Sequence, residues 1–399
     1  MTTRNEPATL AAAQGLMGQL VAWRRDLHRH PELAFQEHRT AGIVAASLAQ
    51  LGLEVQTGVG QTGVVGILEG SRPGPTVLLR FDMDALPIFE ETGLSFASLT
   101  EGKMHACGHD AHTAIGLGVA TLLARRQENL PGRVKFMFQP AEEIASGARA
   151  MIADGVLENP APQAAFGLHV WSLWPVGHGV VKDGPLWASA DKFEIEIVGR
   201  GAHGALPHQG VDAIVVAAYA VAQLQTVASR GIDPLAPAVL TIGEIAGGSA
   251  FNVIAERVTL GGTLRTFDHA VRQQVIERMH AVLGGVCAAF GASYTLEVTF
   301  HAPPLVNDPD AAEYVRRVAS EVLGPDAVAD GPMLTVAEDM AEVLNRVPGC
   351  FLVLGAQPGS NGQPEPHHSP RFDIDEQAMP LGVAILAGVA EEYLRVNSG

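Results

Sequence analysis

"RVKFMFQ", Arg133–Gln139, is a short apolar run about one strand long, and "PAEE" follows it at once. A run of that length without polar alternation suits a strand covered on both faces. Two more apolar runs flank it along the chain, "TVLLRFD" (Thr76–Asp82) and "AAFGLHV" (Ala164–Val170). Between them, Ala111–Arg126 and Gly147–Leu157 carry helical spacing. Strands alternating with helices predict an α/β fold: a mixed, largely parallel sheet with helices on both faces. Sites in such sheets form at the carboxyl ends of strands, so the residues that close each run carry the functional reading.

A different pattern begins near Trp187. In "DKFEIEIVG", Phe193, Ile195 and Ile197 alternate with Lys192, Glu194 and Glu196, which suits a half-exposed strand. A helix over Asp212–Ser229, strands in "AVLTIGEIAGG" and "ERVTLGGTLRTF", a helix over Ala270–Phe290 and the strand "SYTLEVTF" complete the set. The order βαββαβ is that of a ferredoxin-like module. After Pro303–Pro304 the α/β pattern resumes, with "CFLVLG" (Cys350–Gly355) as a further buried strand. The expected organisation is one α/β domain over residues 1–186 and 302–399, interrupted by an inserted module over 187–301.

Composition bounds the function. A chain of 399 residues is long for one hydrophobic core, and 47% hydrophobic against 17% charged residues excludes a disordered chain. A formal net charge of −17 repels phosphate backbones, so no nucleic-acid partner is expected. The three cysteines, Cys107, Cys287 and Cys350, are too few and scattered for a disulfide framework. No apolar leader follows the start, and the most apolar run, Ala213–Ala222, is far shorter than the roughly 20 residues that span a bilayer. The expectation is a cytoplasmic protein without a membrane partner. "GVGQTG" (Gly58–Gly63) matches a dinucleotide fingerprint, but the strand-like "VVGILEG" follows it where that motif requires a helix. It reads as a glycine-rich turn.

The strand ends supply donors. "MHACGHDAH" (Met104–His112) places Cys107 and His109 just before a helix. Alone, Cys-x-His reads more simply as a buried cysteine beside a capping histidine. Yet "QPAEE" closes its strand with Glu142 and Glu143, "GLHV" closes another at His169, and "HHSPRF" offers His367 and His368 in a loop. Thiolate, imidazole and carboxylate are the donors that hold zinc-type ions. Adjacent carboxylates repel unless cations compensate, and a metal site gives them separate tasks: one ligates, the other takes a proton from water. Asp82 and Asp84 in "RFDMDALP" lie at a fourth strand end, where carboxylates orient ligating histidines or simply cap a loop.

Taken in order, "RRDLHRHPELAFQEHRTA", "RFDMDALP", "MHACGHDAH", "QPAEE", "GLHV", "GRGAHGALPH", "NVIAE", "AEDM" and "HHSPRF" resemble the landmarks of the binuclear-metal amidohydrolases that cleave N-acyl amino acids. The similarity covers nearly the whole chain. It is strongest to the branch of hippurate hydrolases and indole-3-acetyl-amino-acid hydrolases, within a superfamily that includes aminoacylases and carboxypeptidases. The resemblance implies two divalent ions per subunit, zinc first, with manganese, cobalt or nickel as alternatives. It implies Cys107, His109, Glu143, His169 and His368 as ligands, Glu142 as general base and Asp84 as the carboxylate supporting a ligand histidine. It also implies that His203 stabilises the oxyanion in a partner subunit's site, and that Asn252 and Arg265 hold the substrate carboxylate. The inserted module then acts as a lid and dimerisation domain of a homodimer or a dimer-based tetramer. The expected substrate is a small N-acyl amino acid, with a dipeptidase or carboxypeptidase using the same site as the alternative.

Two departures, Phe81 and Met340, are apolar changes expected near the pocket, and Asp82 has no fixed role. His28, His30 and Glu32 lie at a predicted helix end, where capping and packing suit them better than ligation. His112 is expected to support its neighbours; His208, His301 and His367 read as loop histidines, with His367 a weak alternate ligand.

Overall fold

Each apolar run of the first half is a strand: Arg72–Asp82, Pro131–Gln139 and Ala164–Trp171. The computed structural model describes residues 8–359 and 364–398. Two units emerge from it, one drawn from Met1–Gly184, Val306–Pro332 and Asp339–Gly399, the other from Pro185–Leu305 and Met333–Glu338.

The first unit is built on a mixed sheet. Its strands run in the spatial order Glu54–Val59, Gly63–Glu69, Pro131–Gln139, Arg72–Asp82, Ala164–Trp171, Gly349–Gly355, Gly179–Val180 and Val328–Ala329. The central pairings, from Pro131–Gln139 through to Gly349–Gly355, are parallel. The first two strands add an antiparallel edge. Both faces are covered, which is why the central runs lack polar alternation. On one face Val77, Leu79 and Phe81 share a core with Ile115 and Val119 of helix His109–Ala124 and Ile385 and Val389 of helix Ala378–Asn397. On the other, helix Gly147–Ala153 sets Met151 against Gly60 and Gly63, and helix Ala341–Leu344 sets Leu344 against Gly349. Helix His109–Ala124 is buried from His109 through Leu123, so it has no polar stripe.

Phe81 corrects an expectation. Its ring lies 5.3 Å from that of Phe138 and fills the space left by Gly116, so it is a core residue and not a pocket wall. Met340 is fully buried at the start of helix Ala341–Leu344. The glycine-rich "GVGQTG" is the turn of the hairpin between Glu54–Val59 and Gly63–Glu69.

In the second unit, strands Ala190–Val198, Ala238–Gly247, Arg257–Thr266 and Ser293–Ala302 form an antiparallel sheet in the order Ala238–Gly247, Arg257–Thr266, Ala190–Val198, Ser293–Ala302. Phe193, Ile195 and Ile197 point into its core, while Lys192 and Glu194 are exposed. Helices Ala213–Gly231 and His269–Phe290 are opened by Asp212 and Asp268, whose carboxylates accept from the second and third backbone N–H groups that follow. Among the described residues, helix Ala213–Gly231 is long and apolar enough to cross a membrane by length and composition. Its buried positions, Val216, Ala217, Ala220, Leu224 and Val227, recur at helical spacing against the sheet of this unit.

Candidate metal centre

Three strand ends, one helix start and one loop of the first unit converge. Gly108 separates Cys107 from His109 and opens the helix with φ of +94°. A Cβ there would meet Val170 Cγ2 at 2.5 Å, so the Cys-Gly-His turn requires its glycine twice over. Glu142 and Glu143 occupy the turn after strand Pro131–Gln139, entered through Ala141 at φ +53°. Asp84 follows strand Arg72–Asp82, His169 lies in strand Ala164–Trp171, and His368 sits in the later loop at φ +67°.

The histidines are held in defined tautomers. His109 Nδ1 lies 2.9 Å from the Asp84 carbonyl and 3.3 Å from its carboxylate, so Nδ1 donates there and Nε2 is the ring nitrogen left to face the site. His169 Nδ1 donates to the Val170 carbonyl at 2.7 Å, leaving Nε2 toward Cys107 Sγ at 3.5 Å. His109 Nε2 lies 3.9 Å from Glu142 Oε2 and 3.8 Å from Glu143 Oε1, and His368 Nε2 lies 3.3 Å from Glu143 Oε2. His112 is different. Its Nε2 accepts the Val170 N–H at 2.9 Å and its Nδ1 donates to Asp82 at 2.6 Å, so both nitrogens are engaged and it supports its neighbours without ligating.

Charge at the site is unbalanced toward carboxylate. Burial pushes Asp82 up, but His109, Arg80 and His112 outweigh it and hold the carboxyl well below its usual range. Burial raises Glu143; His109 opposes this, while Asp84 and Asp82 reinforce it. Burial would lower His109, yet Asp82 and Asp84 raise it well above an ordinary imidazole. Burial, aided by Glu143, likewise raises the Cys107 thiol. Glu143, His109 and Cys107, all shifted upward, are the groups from which a bound cation would displace a proton; Asp82 is already ionised.

The donor set fits two metal ions. His109 Nε2 and Glu143 Oε1 are buried polar atoms without a hydrogen-bond partner, a state that costs free energy unless something else is bound. Ligand atoms of Cys107, His109 and His169 lie within 4.8 Å of one another, as do those of Cys107, Glu143 and His368. Cys107 belongs to both groups. His109, Glu142 and Glu143 form a third such group.

The structure thus brings together Cys107, His109, Glu142, Glu143, His169, His368 and Asp84. His203, Asn252 and Arg265 belong to the second unit. There His203 is exposed in a short strand pair with Val253 and accepts from the Ala205 N–H, the Asn252 carbonyl accepts from Gly204, and Arg265 is half-buried. Sequence reasoning undervalued two residues. His367 is largely buried, with Nδ1 3.6 Å from Cys107 Sγ and its ring 4.5 Å from Trp171; burial, then His112 and His368, lower it to about 3. Asp82 accepts from Arg80 and His112 and sits 3.6 Å from His109 Nε2. The doubled histidine and the Asp-x-Asp spacing were the available signals.

A mixed α/β sheet whose strand ends gather thiolate, imidazole and paired carboxylates defines a metal-dependent hydrolase. The chain belongs to peptidase family M20/M25/M40, whose model matches residues 78–392. It is 42% identical to the N-acetyl-L-cysteine deacetylase of Bacillus subtilis (strain 168), over 99% of this chain and 94% of that protein. It is 37% identical to thermostable carboxypeptidase 1 of Saccharolobus solfataricus, over 94% and 95%. Among solved structures it is similar to Bacillus subtilis YXEP, described as a dinuclear metal binding peptidase of the M20 family, with a TM-score of 0.85, 37% identity and coverage of 96% and 99%. The chain is accordingly an amidohydrolase-type enzyme of this family.

Proposed function

We propose that this enzyme hydrolyses the amide bond of N-acyl amino acids, releasing a carboxylic acid and a free amino acid. The observation that carries the reading is the paired glutamate turn. Glu143 lies against His368 and within the ligand group of Cys107, while Glu142 faces His109 Nε2 from the adjacent position. Bound divalent ions, zinc by the softness of the donor set, supply Lewis acidity that acidifies water and polarises the amide carbonyl.

The chain's own residues do the rest. Glu142 takes the proton of the attacking water and returns it to the leaving nitrogen. Asp84 fixes the His109 tautomer with one carboxylate oxygen and accepts the Glu143 N–H at 3.0 Å with the other, so ligand and base are oriented together. Cys107, His109, Glu143, His169 and His368 are the proposed ligands. His203 is the proposed oxyanion donor, supplied to a partner subunit, and Asn252 and Arg265 the proposed holders of the substrate carboxylate, Arg265 through parallel hydrogen bonds. The second unit is proposed as lid and dimerisation domain of a homodimer or dimer-based tetramer. Exposed Ile214, Val215 and Tyr219 on its helix support this.

The similarity to a carboxypeptidase sustains a second reading, peptide hydrolysis at the same centre. The test removes metal by chelation, restores zinc, manganese, cobalt or nickel, and assays acetyl, benzoyl and indole-acetyl amino acids against free dipeptides. The reading expects turnover of N-acyl amino acids that returns with metal and falls about 10²–10⁴-fold in Glu142→Gln at full metal loading. Preference for free dipeptides would favour the second reading, and undiminished turnover in Glu142→Gln would remove the base assignment.

A further inference from the structure

Glu37 and Thr62 belong to two sequence stretches that the chemistry above leaves unused: "RRDLHRHPELAFQEHRTA" and the "GVGQTG" turn. The Glu37 side chain is completely buried. One of its oxygens accepts the Thr62 hydroxyl at 2.5 Å. The other accepts two backbone N–H groups, Phe35 at 3.1 Å and Ala141 at 2.9 Å. Ala141 immediately precedes Glu142. Its φ of +53°, and the +49° of Ala145 beyond the glutamates, are values that non-glycine residues seldom adopt.

Something must hold such a turn in place. Two other buried carboxylates help: Asp84 accepts the Glu143 N–H, and Asp339 accepts the Ala148 N–H at 2.9 Å. Glu37 is the one that ties the turn to the hairpin. The hairpin turn is itself fixed to the far end of the same segment, through the Gly60 N–H to Asp154 at 2.8 Å and Met151 packed against Gly60 and Gly63.

We infer that Thr62–Glu37–Ala141 is a positioning relay that aims Glu142 and Glu143: Glu37 acts by holding the Ala141 N–H and touches neither substrate nor cation. This rests on the proposed hydrolytic reading. The relay requires an acceptor at Glu37, not a charge. In Glu37→Gln the amide oxygen still accepts both N–H groups, and its NH2 meets the Thr62 hydroxyl, which turns to accept. In Glu37→Ala both N–H groups lose their acceptor.

The experiment uses the full-length protein, with steady-state kinetics per folded, metal-loaded molecule and zinc affinity by competition with a chromophoric chelator. Glu37→Ala is expected to lose kcat about 100-fold at unchanged KM, as a misaimed base would. Its zinc affinity is expected to fall about 10–100-fold, as when a ligand loses its support. Glu37→Gln should restore both, and Thr62→Val should move both in the direction of Glu37→Ala by less. Wild-type kcat and zinc affinity in folded Glu37→Ala would overturn the relay, as would a Glu37→Gln variant as impaired as Glu37→Ala. If Glu37→Ala does not fold, Thr62→Val decides: unchanged kcat and zinc affinity overturn the relay. If the wild type cleaves none of the substrates, the hydrolytic reading fails by itself, and zinc affinity still reads the relay.

Discussion

Gly108→Ala is the substitution whose consequence the structure sets most tightly. The residue lies between Cys107 and His109, and two independent costs follow from its geometry. An L residue at φ +94° costs about 1–2 kcal/mol in backbone conformation. The new Cβ would stand 2.5 Å from Val170 Cγ2, a fully buried side chain in the strand that carries His169. Overpacking of this kind costs about 1–3 kcal/mol. The sum, about 2–5 kcal/mol, exceeds what most single substitutions cost. Gly93→Ala is the control, because Gly93 has φ +69° and nothing within 4 Å of a built Cβ, so only the backbone cost applies. Thermal unfolding of both variants by calorimetry, with and without excess zinc, separates the two costs. Gly108→Ala should lose more Tm than Gly93→Ala, and only Gly108→Ala should lose zinc affinity, because relief of the clash moves Cys107 and His109 apart. Equal Tm losses, with wild-type zinc affinity in both, would refute the reasoning.

Other outcomes follow from the groups around the site. Arg24 is buried against Asp110, with Asp373 and Glu376 also paired to it. Arg24→Met should cost about 3–5 kcal/mol, lowering Tm by roughly 4–9 °C in a scanning measurement. The pH dependence has a definite sign. Burial raises Asp110, but Arg24 and His28 outweigh it and hold the carboxyl well below its usual range. Its stabilisation is therefore complete above the unfolded pKa of about 3.9 and is lost as pH falls further, so denaturation curves of wild type and Arg24→Met should converge only in acid. His112→Ala removes the partner of Asp82 and of the Val170 N–H, and should weaken zinc binding about 10–100-fold in chelator competition while leaving the five proposed ligands in place.

Much of the first unit was legible because a strand covered on both faces has little choice of residue. "TVLLRFD", "RVKFMFQ", "AAFGLHV" and "CFLVLG" each lie within the strand observed. Strands Gly179–Val180 and Val328–Ala329 were not legible, since two residues carry no period. The donors at strand ends stood out by chemistry. What supports them did not, because Glu37 meets Ala141 across 104 positions of chain and no local pattern announces it. Phe81 misled for a related reason: its neighbour in sequence, Asp82, belongs to the site, yet alternation along the strand turns Phe81 to the opposite face, onto Gly116.

The interrupted course of the first unit bears on how the protein matures during synthesis. Residues Pro185–Leu305 leave the ribosome before helix Ala378–Asn397, yet that helix completes the core beneath strand Arg72–Asp82. The nascent amino-terminal half therefore waits with apolar surface uncovered while the intervening segment can already fold. Until that helix emerges, the uncovered surface is open to aggregation, and the loop that carries His368, a proposed ligand, also follows the intervening segment.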